Sequence, residues 1–158
     1  MSSLQSRNSE VGSPSQRYSK IVVAYDGSEH SKRALMRAAA IAKQDSASLM
    51  VVNAVDTTMI TLAPMSPPIP AEVFEDIIKS GEDLESQALN LVKPVVSGAT
   101  GVSEEGNAAE IILKQAAENG ADLIVIGRRG ISEVKRFLIG GVSSAVVAHS
   151  HCDVLVVK

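Results

Sequence analysis

Short apolar runs alternate along the chain with segments whose apolar residues recur every three or four positions, and the two patterns predict different elements. Ile21–Tyr25 (IVVAY) is a β-branched run closed by the turn signal Asp26-Gly27-Ser28, which predicts a buried strand ending in a loop. From Ser31 onward, Ala34, Leu35, Ala38, Ile41 and Ala42 draw one apolar stripe along a helix. Leu49–Val55 reads as a second buried strand. Pro64, Pro67, Pro68 and Pro70 then forbid a regular helix or central strand across residues 56–71. A long loop is expected there, of the length that lids and binding segments use.

The second half repeats the alternation. Glu72–Val96 predicts a helix whose buried face is Phe74, Ile77, Ile78, Leu84, Ala88, Leu91 and Val92, weakened at Gly81 and Pro94. Ala99–Glu104 is at best a short, weak strand. Asn107 and Glu110 stand three apart before an apolar run, as an N-cap and its capping-box partner do. That helix is expected to reach Asn119, with Gly120 at C′. Leu123–Ile126 (LIVI) is the third strong strand, residues Val142–Ser150 a helix, and Val154–Val157 the last strand. Strands that are apolar on both sides and alternate with helices mean an α/β fold, an open parallel five-stranded sheet with helices on both faces. Its crossovers are expected to be right-handed.

Composition narrows the setting. A chain of 158 residues and 16.6 kDa is one domain, large enough to bury roughly two thirds of its unfolded surface. Residues 1–17 hold six serines and almost no large apolar residue. Residues 1–18 are therefore expected to be a disordered tail, and residues 19–158 the domain. Aromatics are 3% with no Trp, so Ala, Val, Ile and Leu must fill the core. A net charge of −3 offers no basic field for nucleic acid or an anionic membrane. One cysteine, Cys152, forms no internal disulfide. No apolar run approaches the ~20 residues of a membrane span, and the start of the chain has no signal-like apolar core. A cytoplasmic protein is expected.

Ligands of open α/β sheets sit beyond the carboxyl ends of the strands, where strand order reverses. After LIVI comes the densest glycine pattern in the chain: Gly127-Arg128-Arg129-Gly130, nine residues, then Gly140-Gly141-Val142-Ser143-Ser144. Glycines let backbone N–H groups approach an anion, and the second cluster opens a helix whose positive end favours phosphate. Ser143 and Ser144 add hydroxyls, and Arg128 and Arg129 add charge. The pattern makes a plausible oligophosphate cradle, against the plainer reading of turns and a helix start. There is no GxxxxGK[ST] loop, and the loop after the first strand lacks GxGxxG. His149, His151 and Cys152 sit at a helix end and read as structural rather than metal-ligating.

Gly127-x2-Gly130-x9-Gly140, after a buried strand and before a helix, resembles the nucleotide-binding signature of the universal stress protein family. From about Lys20 the likeness continues through IVVAYDGSEHSKRAL, GNAAEIILKQAAENGADLIVIGRRG and HSHCDVLVVK, in the family's order. It implies that Asp26 touches adenosine, that Ala24 and Tyr25 line the same edge, and that Ala54 borders adenine. It also implies that Gly127, Gly130 and Gly140, with the backbone of Gly141, Val142 and Ser143, hold the phosphates.

Two positions depart from the family pattern. Gly141 stands where ATP-binding members carry Ser or Thr, and a lost hydroxyl bond to phosphate is worth ~1.5–3 kcal/mol, so weakened binding is expected. Asp153 stands where Pro is common, a change confined to a turn. The expected protein is a stress-response sensor or switch that binds ATP (or ADP or AMP), with or without Mg2+. The resemblance implies a homodimer joined through the final strand, and a protein partner the residues do not identify. A slow ATP hydrolase or phosphotransferase stays open, with Asp26 and His30 the nearest candidates for a base and no catalytic residue assigned. A nucleotide-free member acting through protein contacts stays open too.

Overall fold

The computed structural model describes residues 17–57, 67–129 and 141–158. The expected tail up to residue 16, Pro64 in the proline segment, and Gly130 and Gly140 of the glycine pattern lie outside the described residues. The elements follow in the order β1 (Lys20–Ala24), α1 (Glu29–Asp45), β2 (Ser48–Val55), α2 (Ala71–Val92), β3 (Thr100–Glu105), α3 (Ala108–Glu118), β4 (Leu123–Gly127), α4 (Gly141–His149) and β5 (Asp153–Val157).

All strands are parallel in one sheet of order β3-β2-β1-β4-β5, so this is a single α/β domain. Side chains alternate along each strand, and the sheet therefore has two cores. On one face Ile21, Val23, Leu49, Val51 and Val125 meet α1 through Ala34, Leu35, Ala38 and Ala42, and α2 through Ala88 and Val92. On the other, Val22, Val52, Ile124 and Ile126 meet Ile111, Ile112 and Ala116 of α3 and Val146 of α4. The small alanines of α1 let that helix lie close to β1 and β4.

Three details differ from the sequence pattern. Helix α2 stops at Val92 instead of running to Val96, because Pro94 disfavours helical geometry at the preceding residue and supplies no N–H. The weak third strand is a full partner of β2, six residues long at the sheet edge. Its Glu104 accepts from Lys114 (2.6 Å) and Gln115 (2.8 Å), which clasps β3 to α3. Gly81 sits inside α2 because the helix crosses β2 and β3 closely: a Cβ there would lie 2.3 Å from Val55 Cγ2 and 2.8 Å from Ser103 Oγ.

Strand β1 lies between β2 and β4, with Val23 aligned to Val51 on one side and Val125 on the other. The chain leaves β1 toward β2, whereas β4 leads away to β5. Loops that part in opposite directions leave a crevice between the carboxyl ends of β1 and β4.

Candidate functional site

The β1 side of the crevice is the loop Tyr25-Asp26-Gly27-Ser28. Gly27 has φ +83°, a left-handed conformation that glycine adopts without cost. The Ser28 N–H donates to Asp26 Oδ1 (2.9 Å), an Asx turn that fixes the carboxylate at the mouth of the loop. Ser28 then caps α1, its Oγ accepting from Ser31 N–H (3.2 Å). Ala24 and Ala54 both pack with the α3 and α4 face of the sheet, so the sequence-predicted edge of small side chains lies on one side.

Tyr25 differs from expectation. Its ring is buried in the opposite core, against α1 and α2, and its hydroxyl donates to Gln87 Oε1 (2.8 Å). Burial pushes its phenol pKa up from 10.0. Its backbone is paired as well, the N–H donating to Val52 O (2.9 Å) and the carbonyl accepting from Asn53 Nδ2 (2.9 Å).

The β4 side is Gly127-Arg128-Arg129. A Cβ on Gly127 would lie 2.8 Å from the carbonyl carbon of His30 and 2.9 Å from Ser31 N, so the first turn of α1 fills that space. Helix–strand packing by itself demands a glycine here, beside the anion contact that the sequence reading expects. Arg128 N–H donates to Val157 O (2.7 Å), carrying the β4–β5 ladder past the strand end. Arg129 Nε and Nη2 are shut from solvent and have no hydrogen-bond partner among the described residues.

Helix α4 opens with Gly141-Val142-Ser143. Ser143 is buried and its hydroxyl donates to Arg128 O (2.9 Å), tying the helix start to the end of β4. The bond is local to the loop, whereas the sequence reading offers the Ser143 hydroxyl to phosphate. His149, His151 and Cys152 join no group of three or more metal-ligating side chains among the described residues, and no helix among them is long and apolar enough to cross a membrane.

The profile of the Universal stress protein family matches residues 17–158. The chain belongs to the universal stress protein family.

Its relatives agree with that placement. A Staphylococcus aureus (strain USA300) protein that carries the universal stress protein name is 35% identical over 149 residues, spanning 89% of this chain and 84% of that protein. The universal stress protein UspA from Lactobacillus plantarum has a similar fold, with a TM-score of 0.78 at 26% identity over 90% of this chain and 99% of that one. A universal stress protein solved in complex with cAMP has a TM-score of 0.68 at 28% identity, covering 90% of this chain and 99% of that chain. One from Archaeoglobus fulgidus, solved with dAMP, has a TM-score of 0.61 at 26% identity, covering 90% and 100%.

Sequence reasoning overlooked Asn53 and Ser31. Asn53 is 2% exposed, and its Nδ2 donates to Tyr25 O (2.9 Å) while its Oδ1 accepts from Ser103 Oγ (3.2 Å). The signal was a polar residue inside the apolar run Leu49–Val55.

Proposed function

We propose that this universal stress protein binds an adenine nucleotide, ATP with Mg2+ foremost, in the crevice between the ends of β1 and β4. The observation that carries the reading is the Arg129 guanidinium, with two nitrogens buried and no acceptor among the described residues. Buried donors of a charged group are costly to leave unpaired, and phosphate oxygens are the acceptors that suit them. Across the crevice the Asp26 carboxylate suits the two hydroxyls of a ribose, and Ala24 and Ala54 leave room for a flat base. The backbone of Gly141, Val142 and Ser143 at the positive end of α4 suits the phosphates. Gly130 and Gly140 complete the proposed glycine cradle. Related proteins solved with cAMP and dAMP support an adenine ligand.

ATP here is a signal rather than a substrate, and the protein works as a cytoplasmic homodimeric switch. Strand β5 is at the sheet edge with Val154–Val157 only partly covered, and Val142 and Val147 of α4 are exposed nearby in sequence. Such an apolar edge favours pairing with a second copy. Sedimentation of wild type and Val154→Lys tests this, and a variant still dimeric would count against the edge.

Calorimetric titration of ATP and Mg2+ into nucleotide-free protein tests the site. Micromolar binding by wild type, weakened about ten- to a hundredfold in Arg129→Ala, is the expected result. No binding by wild type would leave the nucleotide-free member, with Gly141 as the physical cause. Turnover of several ATP per minute would favour the hydrolase.

A further inference from the structure

Three polar residues are buried among the described residues outside the tyrosines: Ser31 (4% exposed), Asn53 (2%) and Ser143 (2%). Their elements are α1, β2 and α4, far apart in sequence. Each makes a hydrogen bond to a loop at the carboxyl end of β1 or β4. A polar group is buried at a cost unless it is bonded, so three buried for one purpose mark where backbone geometry is held most tightly.

The peptide joining Tyr25 to Asp26 is pinned from both sides. Its carbonyl accepts from Asn53 Nδ2 at 2.9 Å, and its N–H donates to Ser31 Oγ at 3.3 Å. Ser31 Oγ also donates to Ser28 O (2.9 Å), which closes the loop that carries the Asx turn of Asp26. Asn53 is itself held by Ser103 Oγ, beneath the glycine gap that Gly81 leaves in α2. On the far side of the crevice, Ser143 Oγ holds the carbonyl of Arg128, the residue before Arg129.

We propose that Ser31, Asn53 and Ser143 are positioning residues of the nucleotide site and that they divide it. Asn53 and Ser31 aim the Asp26 carboxylate at the sugar, whereas Ser143 sets the turn that presents Arg129 to phosphate. The division rests on the nucleotide reading above. Its geometry is that Asn53 and Ser31 bond the Tyr25–Asp26 peptide on one side of the crevice, and the Ser143 hydroxyl bonds the Arg128 carbonyl on the other.

The test titrates adenosine, inorganic tripolyphosphate and ATP into full-length wild type, Asn53→Asp and Ser143→Ala. Asn53→Asp keeps the shape of the side chain and loses the donor to Tyr25 O. It is expected to weaken adenosine and ATP about five- to tenfold and leave tripolyphosphate unchanged. Ser143→Ala is expected to do the reverse, weakening tripolyphosphate and ATP while adenosine holds. A purely structural role would move all three ligands together, or none, and either result overturns the proposal. If Asn53→Asp does not fold, Ser103→Ala takes its place. It releases Asn53 Oδ1, so the same direction is expected at smaller size.

Amide exchange in the ligand-free protein gives a readout independent of binding. The Ser28 N–H, bonded to Asp26 Oδ1, is expected to exchange faster in Asn53→Asp while Val125 in mid-sheet does not. Unchanged exchange at Ser28 would overturn the role of Asn53. Wild type that binds none of the three ligands would overturn the nucleotide reading instead, and exchange would still decide whether Asn53 holds the loop.

Discussion

A Cβ on Gly127 would lie 2.8 Å from the carbonyl carbon of His30, so β4 ends bare where the first turn of α1 begins. The contact joins the two sides of the crevice directly. It sets how close α1 and the Asp26 loop lie to the arginines that follow β4.

Gly127→Ala is therefore expected to destabilise the fold by about 1–3 kcal/mol, the cost of forcing extra volume into a packed site. Urea unfolding of the two proteins checks this. Equal stability would mean that the glycine serves the ligand alone.

Gly81→Ala reverses the ordinary helix rule. Alanine in mid-helix is usually better than glycine by ~1 kcal/mol. Here the methyl would meet Val55 Cγ2, Ser103 Oγ and Asn53 Oδ1, so a net loss of about 1–3 kcal/mol is expected. Gly98→Ala is the matched control. Nothing lies within 4 Å of its Cβ, and a gain of about 0.4–1 kcal/mol is expected from a stiffer unfolded chain. Thermal unfolding that ranks Gly81→Ala above Gly98→Ala would contradict the packing argument.

The chain has two tyrosines and no tryptophan, so phenolate absorbance reads Tyr18 and Tyr25 alone. Both have pKa values raised above 10.0, Tyr25 by burial, and Tyr18 by burial first and its hydrogen bond to Asp153 (3.0 Å) second. A group held protonated by the fold stabilises it below its unfolded pKa and loses that contribution as pH rises through the folded value. Stability is therefore expected to fall above pH ~10, with the folded phenols titrating later than in urea. Asp153→Asn should bring Tyr18 only part of the way back, because burial is the larger cause. A native titration that overlays the unfolded one would contradict the burial of Tyr25.

Asn107 Oδ1 accepts from Glu110 N–H at 3.1 Å, capping α3. Asn107→Ala is expected to cost about 1 kcal/mol, and Asn107→Asp to restore most of it. Denaturant midpoints of the pair separate loss of the cap from a general effect of the loop.

Residues that act within a few positions of one another were legible in the chain itself. The β-branched runs of β1, β2 and β4, the stripe of α1, the Asn107 cap and the Asp26-Gly27-Ser28 turn each depend on local spacing, and each is an element of the fold. So is the order of strands and helices, which made the parallel α/β architecture readable. Local spacing underrated β3, whose six residues hold their place through pairing with β2 across about fifty positions of sequence.

What tertiary structure alone decided is who meets whom at the crevice. The run of β2 contains Asn53 without indicating that its amide reaches back to Tyr25 O, or that Tyr25 itself turns away to Gln87. Glycine at 127 permits an anion, a turn or a helix equally, and only the fold shows that α1 is seated against it. Ser143 offers a hydroxyl to any acceptor, and the carbonyl of Arg128 takes it. Backbone periodicity repeats over two or four residues and is written in the chain. Contacts between strand ends join residues up to about a hundred positions apart, and they exist only after the sheet has set its order.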